Sequence, residues 1–156
     1  MINMFQYNWQ IREDWFKWCE TISYEELTKK RMGGMQSIIH NLFHVIDCEQ
    51  IWVNQMQGTP VIIKDINRIS SLNDVRTFSN LTKPATEGFI KSHTSEAQDR
   101  ILLVKNRNGT TKSFSYDKII AHITSHEIHH IGQLSVWSRD IGLKPVSSDL
   151  LFRDLI

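Results

Sequence analysis

Apolar residues recur at three- and four-residue spacings along most of this chain, and those runs predict four long helices. From about Asn3 to Thr21, Met4, Tyr7, Ile11, Trp15, Trp18 and Ile22 form the stripe of an amphipathic helix. Ser23, with Glu26 three residues on, caps a short turn, and Gly33-Gly34 punctuates the chain before the next element. The second helix runs from about Met35 to Gln57 on Ile38, Leu42, Val45, Ile46, Trp52, Val53 and Met56, and Gly58 with Pro60 ends it. From Gly58 to Lys83 the periodicity breaks around Pro60, a short β-like Val61-Ile62-Ile63 and a short helix near Ser71. The third helix is expected to start at Pro84, whose fixed φ suits a first helical position. It would reach about Lys105, with Phe89, His93, Ala97, Ile101 and Val104 in line. Asn106-Arg107-Asn108-Gly109 predicts a tight turn, with Val104 to Phe114 as a small hairpin around it. The fourth helix spans about Tyr116 to Ile141 on Ile119, Ile123, His126, His130, Leu134 and Trp137, stopped by Gly142 and Pro145.

Four such helices without a convincing sheet indicate an all-α helical bundle, one domain over residues 1–156. The expected link between the second and third helices is about 25 residues, long enough for the two to run in the same direction.

Composition narrows the function classes. The formal net charge is +1 and no basic run exceeds Lys29-Lys30-Arg31, so a nucleic-acid partner is not expected. Two cysteines, Cys19 and Cys48, both fall within helices and suggest a reducing, cytoplasmic setting. The opening residues lack the layout of a signal peptide, and no apolar run nears the roughly 18 residues of a membrane span. Seven histidines change the picture.

His122, His126, His129 and His130 all lie on the fourth helix. Side chains four apart on a helix differ by about 40° in direction and one turn in height, so they can converge on one ion. His126 pairs in this way with either His130 or His122, whereas His122 and His130 stand roughly 12 Å apart along the axis. That is too far to share a metal with bonds of about 2.1 Å. A third ligand must come from another helix. The second offers His40 and His44, and His44 lies among Leu42, Phe43, Val45 and Ile46, where an imidazole is costly to bury unless hydrogen-bonded or metallated. Three neutral imidazoles suit Zn²⁺, Ni²⁺, Fe²⁺ or Cu²⁺ better than Mg²⁺ or Ca²⁺. Such a site can activate water or hold a substrate thiol as thiolate.

His126-Glu127-Ile128-His129-His130 also matches the H-E-x-x-H helix of zinc peptidases. The downstream ligands of that class are missing: Gln133 and Val136 stand where the metzincin glycine and third histidine belong, and no glutamate follows Glu127.

Three segments together carry a resemblance to a known family. Phe5-Gln6-Tyr7-Asn8-Trp9 is similar to the first helix of the DinB/YfiT-like proteins. His44-Val45-Ile46-Asp47-Cys48-Glu49-Gln50-Ile51-Trp52 resembles their H-x-x-x-x-E-x-x-W signature. His126 to Leu134 resembles their H-E-x-x-H-x-G-Q-[IL] signature, with Ile131 where Arg is common. Gly142-Leu143-Lys144-Pro145 and Asp149-Leu150-Leu151 resemble the family's tail, so the likeness spans nearly the whole chain. The resemblance implies an up-down-down-up four-helix bundle, often a homodimer, with one divalent transition metal per chain (zinc or nickel foremost) on His44, His126 and His130. It implies a metal-dependent transferase that joins a low-molecular-weight thiol of the bacillithiol type to an electrophilic substrate. A hydrolase using metal-activated water and a non-enzymatic stress-linked binding protein are the alternatives.

Glu127 and Asp47 are the candidate catalytic carboxylates. Glu127 points about 100° from His126, which leaves it a ligand-orienting or basic role, or a solvent-facing or interhelical one. Asp47, three residues after His44, is a candidate acceptor for an imidazole N–H, with a surface ion pair as the competing reading. Cys48 reads as a small hydrophobe, His93 as core or rim packing and Gly132 as a point of close approach; the five tryptophans read mostly as core, with Trp52 and Trp137 as candidate walls of a pocket near the metal.

Overall fold

A computed structural model describes residues 2–93, 100–106 and 108–155. Five helices, α1 (Ile2–Cys19), α2 (Tyr24–Thr28), α3 (Ile38–Gln57), α4 (Leu72–Ser92) and α5 (Tyr116–Asp140), are joined by a hairpin of β1 (Ile101–Lys105) and β2 (Thr111–Ser115). The four long helices form the expected up-down-down-up bundle. Among the described residues no helix is long and apolar enough to cross a membrane.

Serine starts every helix after the first. The side chains of Ser23, Ser37, Ser71 and Ser115 accept from the backbone N–H three residues on, at 3.2–3.3 Å. Each satisfies one of the donors that a helix leaves unpaired at its start. At Ser71 the cap is reciprocal, because Asp74 accepts from the Ser71 N–H at 2.9 Å. The Ser70 N–H, from which Asp74 also accepts at 3.0 Å, and then the contacts with Ser71 hold the Asp74 carboxyl below its usual range. Ser71→Ala is expected to cost about 1 kcal/mol, with a lowered chemical-denaturation midpoint as the readout.

The capping box corrects the reading of the third long helix. It begins at Leu72, not Pro84, so the link from α3 is Gly58–Ser71, fourteen residues. Pro84 sits inside α4 and deprives the Asn80 carbonyl of its helical donor. Both residues lie on the exposed face, where water can replace that donor, while Val75, Phe78, Thr82, Thr86 and Phe89 continue the buried stripe beneath them. The helix ends at Ser92 with His93 as its cap, so Ile101 and Val104 belong to β1. Ala97 and Arg107 lie outside the described residues. Val61-Ile62-Ile63 forms no strand, and Ile63 is exposed. The hairpin is longer than expected, pairing Ile101 with Ser115 through Lys105 with Thr111.

Two apolar clusters build the core. One gathers Ile11, Trp15, Phe16, Leu42, Phe43 and Leu134; the other gathers Phe5, Trp9, Val53, Met56, Ile119 and Ile120. Where the two clusters meet, α1, α3 and α5 each carry residues that are polar yet buried: Asn8 and Arg12 on α1, Glu49 and Gln50 on α3, Thr124 and Glu127 on α5. This polar waist crosses the bundle where the histidines converge.

Candidate metal centre

His44 projects from α3 and His126 and His130 from α5. One ring nitrogen from each lies within 4.8 Å of the other two, and no other such group occurs among the described residues. His44 Nε2 and His126 Nε2 are 3.2 Å apart. Two nitrogens bonded at about 2.1 Å to one tetrahedral ion stand about 3.4 Å apart, so this pair already has the spacing of shared ligands. Three imidazoles so placed can hold a metal ion. His122 is exposed and falls outside the group, although its ring centroid lies 5.4 Å from that of His126. His40 instead faces the Ile69 carbonyl, 3.3 Å from its Nε2.

All three rings favour the neutral form that a metal requires. Burial lowers the pKa of His44, and charge on His130 would add to the effect. Burial pulls His126 down to about 4, helped by the neighbouring histidines. His130 is lowered by burial, against the opposing pull of a hydrogen bond to Gln133.

The His130 ring is held by two amides. Its Nδ1 lies 3.0 Å from Asn41 Oδ1 and 2.9 Å from Gln133 Oε1, both acceptors, so the ring proton sits on Nδ1 and the Nε2 lone pair is left free. Asn41 also donates from Nδ2 to the His130 carbonyl at 2.8 Å, tying α3 to α5. Gly34, in the left-handed region at φ +50°, packs against both amides: a Cβ there would collide with Gln133 Oε1 and Asn41 Oδ1. Asn41→Leu should therefore weaken metal binding about 10–100-fold in a competition titration against a chelator. Unchanged affinity would mean that the amides do not orient the ligand.

Neither candidate carboxylate bonds the histidines. Glu127 is interhelical and fully buried, accepting from Arg12 Nε at 2.9 Å and Arg12 Nη2 at 2.7 Å. Of its alternatives, the solvent-facing one is excluded. Arg12 Nη2 also donates to Glu49 Oε2 at 2.8 Å, and Trp9 Nε1 reaches the same oxygen at 3.2 Å. Burial alone would drive the proton from Arg12, but the Glu127 and Glu49 charges outweigh it and the pKa is raised. Burial raises the Glu127 pKa, against the pull of Arg12. Asp47 accepts from Gln50 Nε2 at 2.9 Å and forms no surface ion pair among the described residues. Burial raises its pKa.

Cys48 is half-buried, and burial pushes its thiol up to about 12, which keeps it protonated. His93 packs on Phe89 and Tyr116, with Nε2 3.3 Å from Asp117 Oδ1. An added Cβ at Gly132 would meet nothing within 4 Å, so no close approach depends on it. Trp137 is core, donating from Nε1 to the Met32 carbonyl at 3.2 Å, whereas Trp52 stands against His122.

The periodicity reading passed over Arg12 and Asn41 and took Gly34 only as punctuation. Arg12 had a signal: Phe5, Trp9, Arg12 and Phe16 form a second stripe at four-, three- and four-residue spacing, and a charge in such a stripe demands a buried partner.

Fold and site together define a helical-bundle protein with a three-histidine cluster at its polar waist. The sequence pattern of the DinB family matches residues 1–155, and the chain belongs to that family. It is 39% identical over 155 residues to a Bacillus subtilis (strain 168) protein called YizA, a match covering 99% of this chain and 96% of that one. The crystal structure of a DinB-like protein from Bacillus cereus ATCC 10987 superposes with a TM-score of 0.67 at 16% identity, covering 92% of this chain and 94% of the other. That likeness is one of fold.

Proposed function

We propose that the protein is a metal-dependent transferase that joins a low-molecular-weight thiol to an electrophilic carbon. The observation that carries this reading is the convergence of three neutral imidazoles from two helices, within 4.8 Å of one another, beside an apolar cleft. His44, His126 and His130 would hold one divalent transition metal, zinc or nickel foremost, which supplies Lewis acidity to favour a thiol's ionised form. The protein's own part is placement. Asn41 and Gln133 keep the His130 proton on Nδ1, and Asn41 fixes α5 against α3. Trp52 and Ile119 line an apolar cleft on the His122 side of the cluster. In the reaction the thiol proton passes to solvent and sulfur bonds carbon as the carbon–leaving-group bond breaks.

The test is free-thiol consumption by zinc- or nickel-loaded protein given bacillithiol and a panel of alkyl halides and epoxides. Metal-dependent thiol loss matched by thioether formation is expected. No loss with any electrophile, or turnover of esters and amides without added thiol, overturns the transferase reading, the latter in favour of a hydrolase.

A further inference from the structure

Beside the histidine cluster a cleft of about 230 Å³ opens between α3, β2 and α5, lined by Trp52, Phe114, Lys118, Ile119 and His122. Its aromatic walls stand at right angles. The Phe114 ring is inclined 82° to Trp52 with centroids 6.5 Å apart, and the His122 ring 87° at 6.0 Å. Both rings meet the indole in edge-on contacts, and all three line the cleft. His122 also adjoins the metal centre, 5.4 Å from His126 between centroids.

Size and charge select the occupant. An apolar cavity of about 150 Å³ accepts benzene, so this cleft has room for one ring with a short substituent. Aromatic cages of this kind ordinarily attract cations through their negative ring faces. Here Lys118 Nζ stands at the rim, 5.9 Å from the Phe114 centroid, and repels a cation while attracting an anion. The neighbouring carboxylate, Asp117, is engaged by His93 rather than by Lys118.

We infer that the cleft binds a single-ring aromatic ligand bearing a carboxylate, with the ring against Trp52 between Phe114 and His122 and the carboxylate at Lys118. The far end of the ring then faces His122 and, beyond it, His126. On the transferase reading, on which this last step rests, that is where the electrophilic carbon of the substrate sits.

Fluorine NMR titration of the metal-free protein tests the ligand class, with 4-fluorophenylacetate, 4-fluorobenzyl alcohol and 4-fluorobenzylammonium as probes. The acetate should bind most tightly and the ammonium least. Lys118→Met, at an exposed position, should weaken the acetate about fivefold and bring it level with the alcohol. Phe114→Ala should weaken both probes while its circular-dichroism melt shows a folded protein. If that variant melts early, Phe114→Leu keeps the apolar volume without the ring and serves instead. Equal binding of the three probes, or an acetate affinity untouched by Lys118→Met, overturns the inference. Cobalt loading then tests the placement, since a bound probe near the cluster loses its fluorine signal to paramagnetic broadening, and His126→Ala should restore it. Cobalt uptake without broadening overturns the placement. Failure to take up cobalt sinks the metal reading instead and leaves the metal-free titration standing.

Discussion

Replacing Arg12 with methionine should lower the stability of the bundle by about 3–5 kcal/mol, enough to bring the thermal midpoint down by roughly 10 °C. Arg12 is 1% exposed and, among the described residues, is the only guanidinium facing two buried carboxylates, Glu49 and Glu127. Removing it strands both charges in the polar waist, and the cost comes from those unpaired carboxylates rather than from the strength of the lost pair. Arg12→Lys should recover only part of the loss, because one ammonium cannot reproduce the two-pronged contact with Glu127. Glu127→Gln should cost less than Arg12→Met, since Arg12 keeps Glu49 and the amide still accepts. A melting midpoint for Arg12→Met within about 3 °C of wild type would show that the waist is not held by this ion pair.

Replacing His126 with alanine should abolish metal uptake, from about one ion per chain in gently purified wild type to none by elemental analysis. His44→Ala should do the same. Unchanged metal content in either variant, or none in wild type after loading, would remove the site. The same residue sets an acid response in the metal-free protein. The His126 pKa falls from the usual 6.5 to about 4 on folding, chiefly through burial and then through its histidine neighbours. Between those values the unfolded chain binds a proton that the folded chain refuses, so stability is present above about pH 6.5 and falls as the pH drops towards 4. The His126→Ala variant should show a shallower decline over that window in urea titrations at stepped pH. A slope equal to wild type would mean that the folded protein tolerates the imidazolium.

The long periodic segments α1, α3 and α5 were legible from their apolar stripes, and in α3 and α5 a serine at the start and a glycine after the end agree with the stripe. The error at α4 came from ranking one residue above a pattern. Pro84 is a good helix starter, but Ser71 with Asp74 makes a stronger start, and the buried stripe runs on through Val75, Phe78 and Thr82. The histidine spacing showed that a cluster was possible, but left His122 and His130 as equal partners for His126. The difference between them is tertiary: His130 is buried and faces Asn41 across the bundle, whereas His122 is exposed and faces Trp52. Asn41 and Gly34 act through a contact between α3, α5 and the loop ahead of α3, which no periodicity within one helix encodes.

The polar waist also works as a ruler. In a bundle of aliphatic stripes, a helix that slides by one turn, about 5.4 Å, finds new apolar partners much like the old ones. Here that slide would carry Arg12 off Glu49 and Glu127 and draw the Asn8 amide from the Thr124 carbonyl, leaving ions against hydrocarbon. Only one longitudinal alignment of α1, α3 and α5 therefore escapes the penalty, and it is the alignment that sets His44 level with His126. The chain measures out the height of its histidine cluster with charges that never touch it.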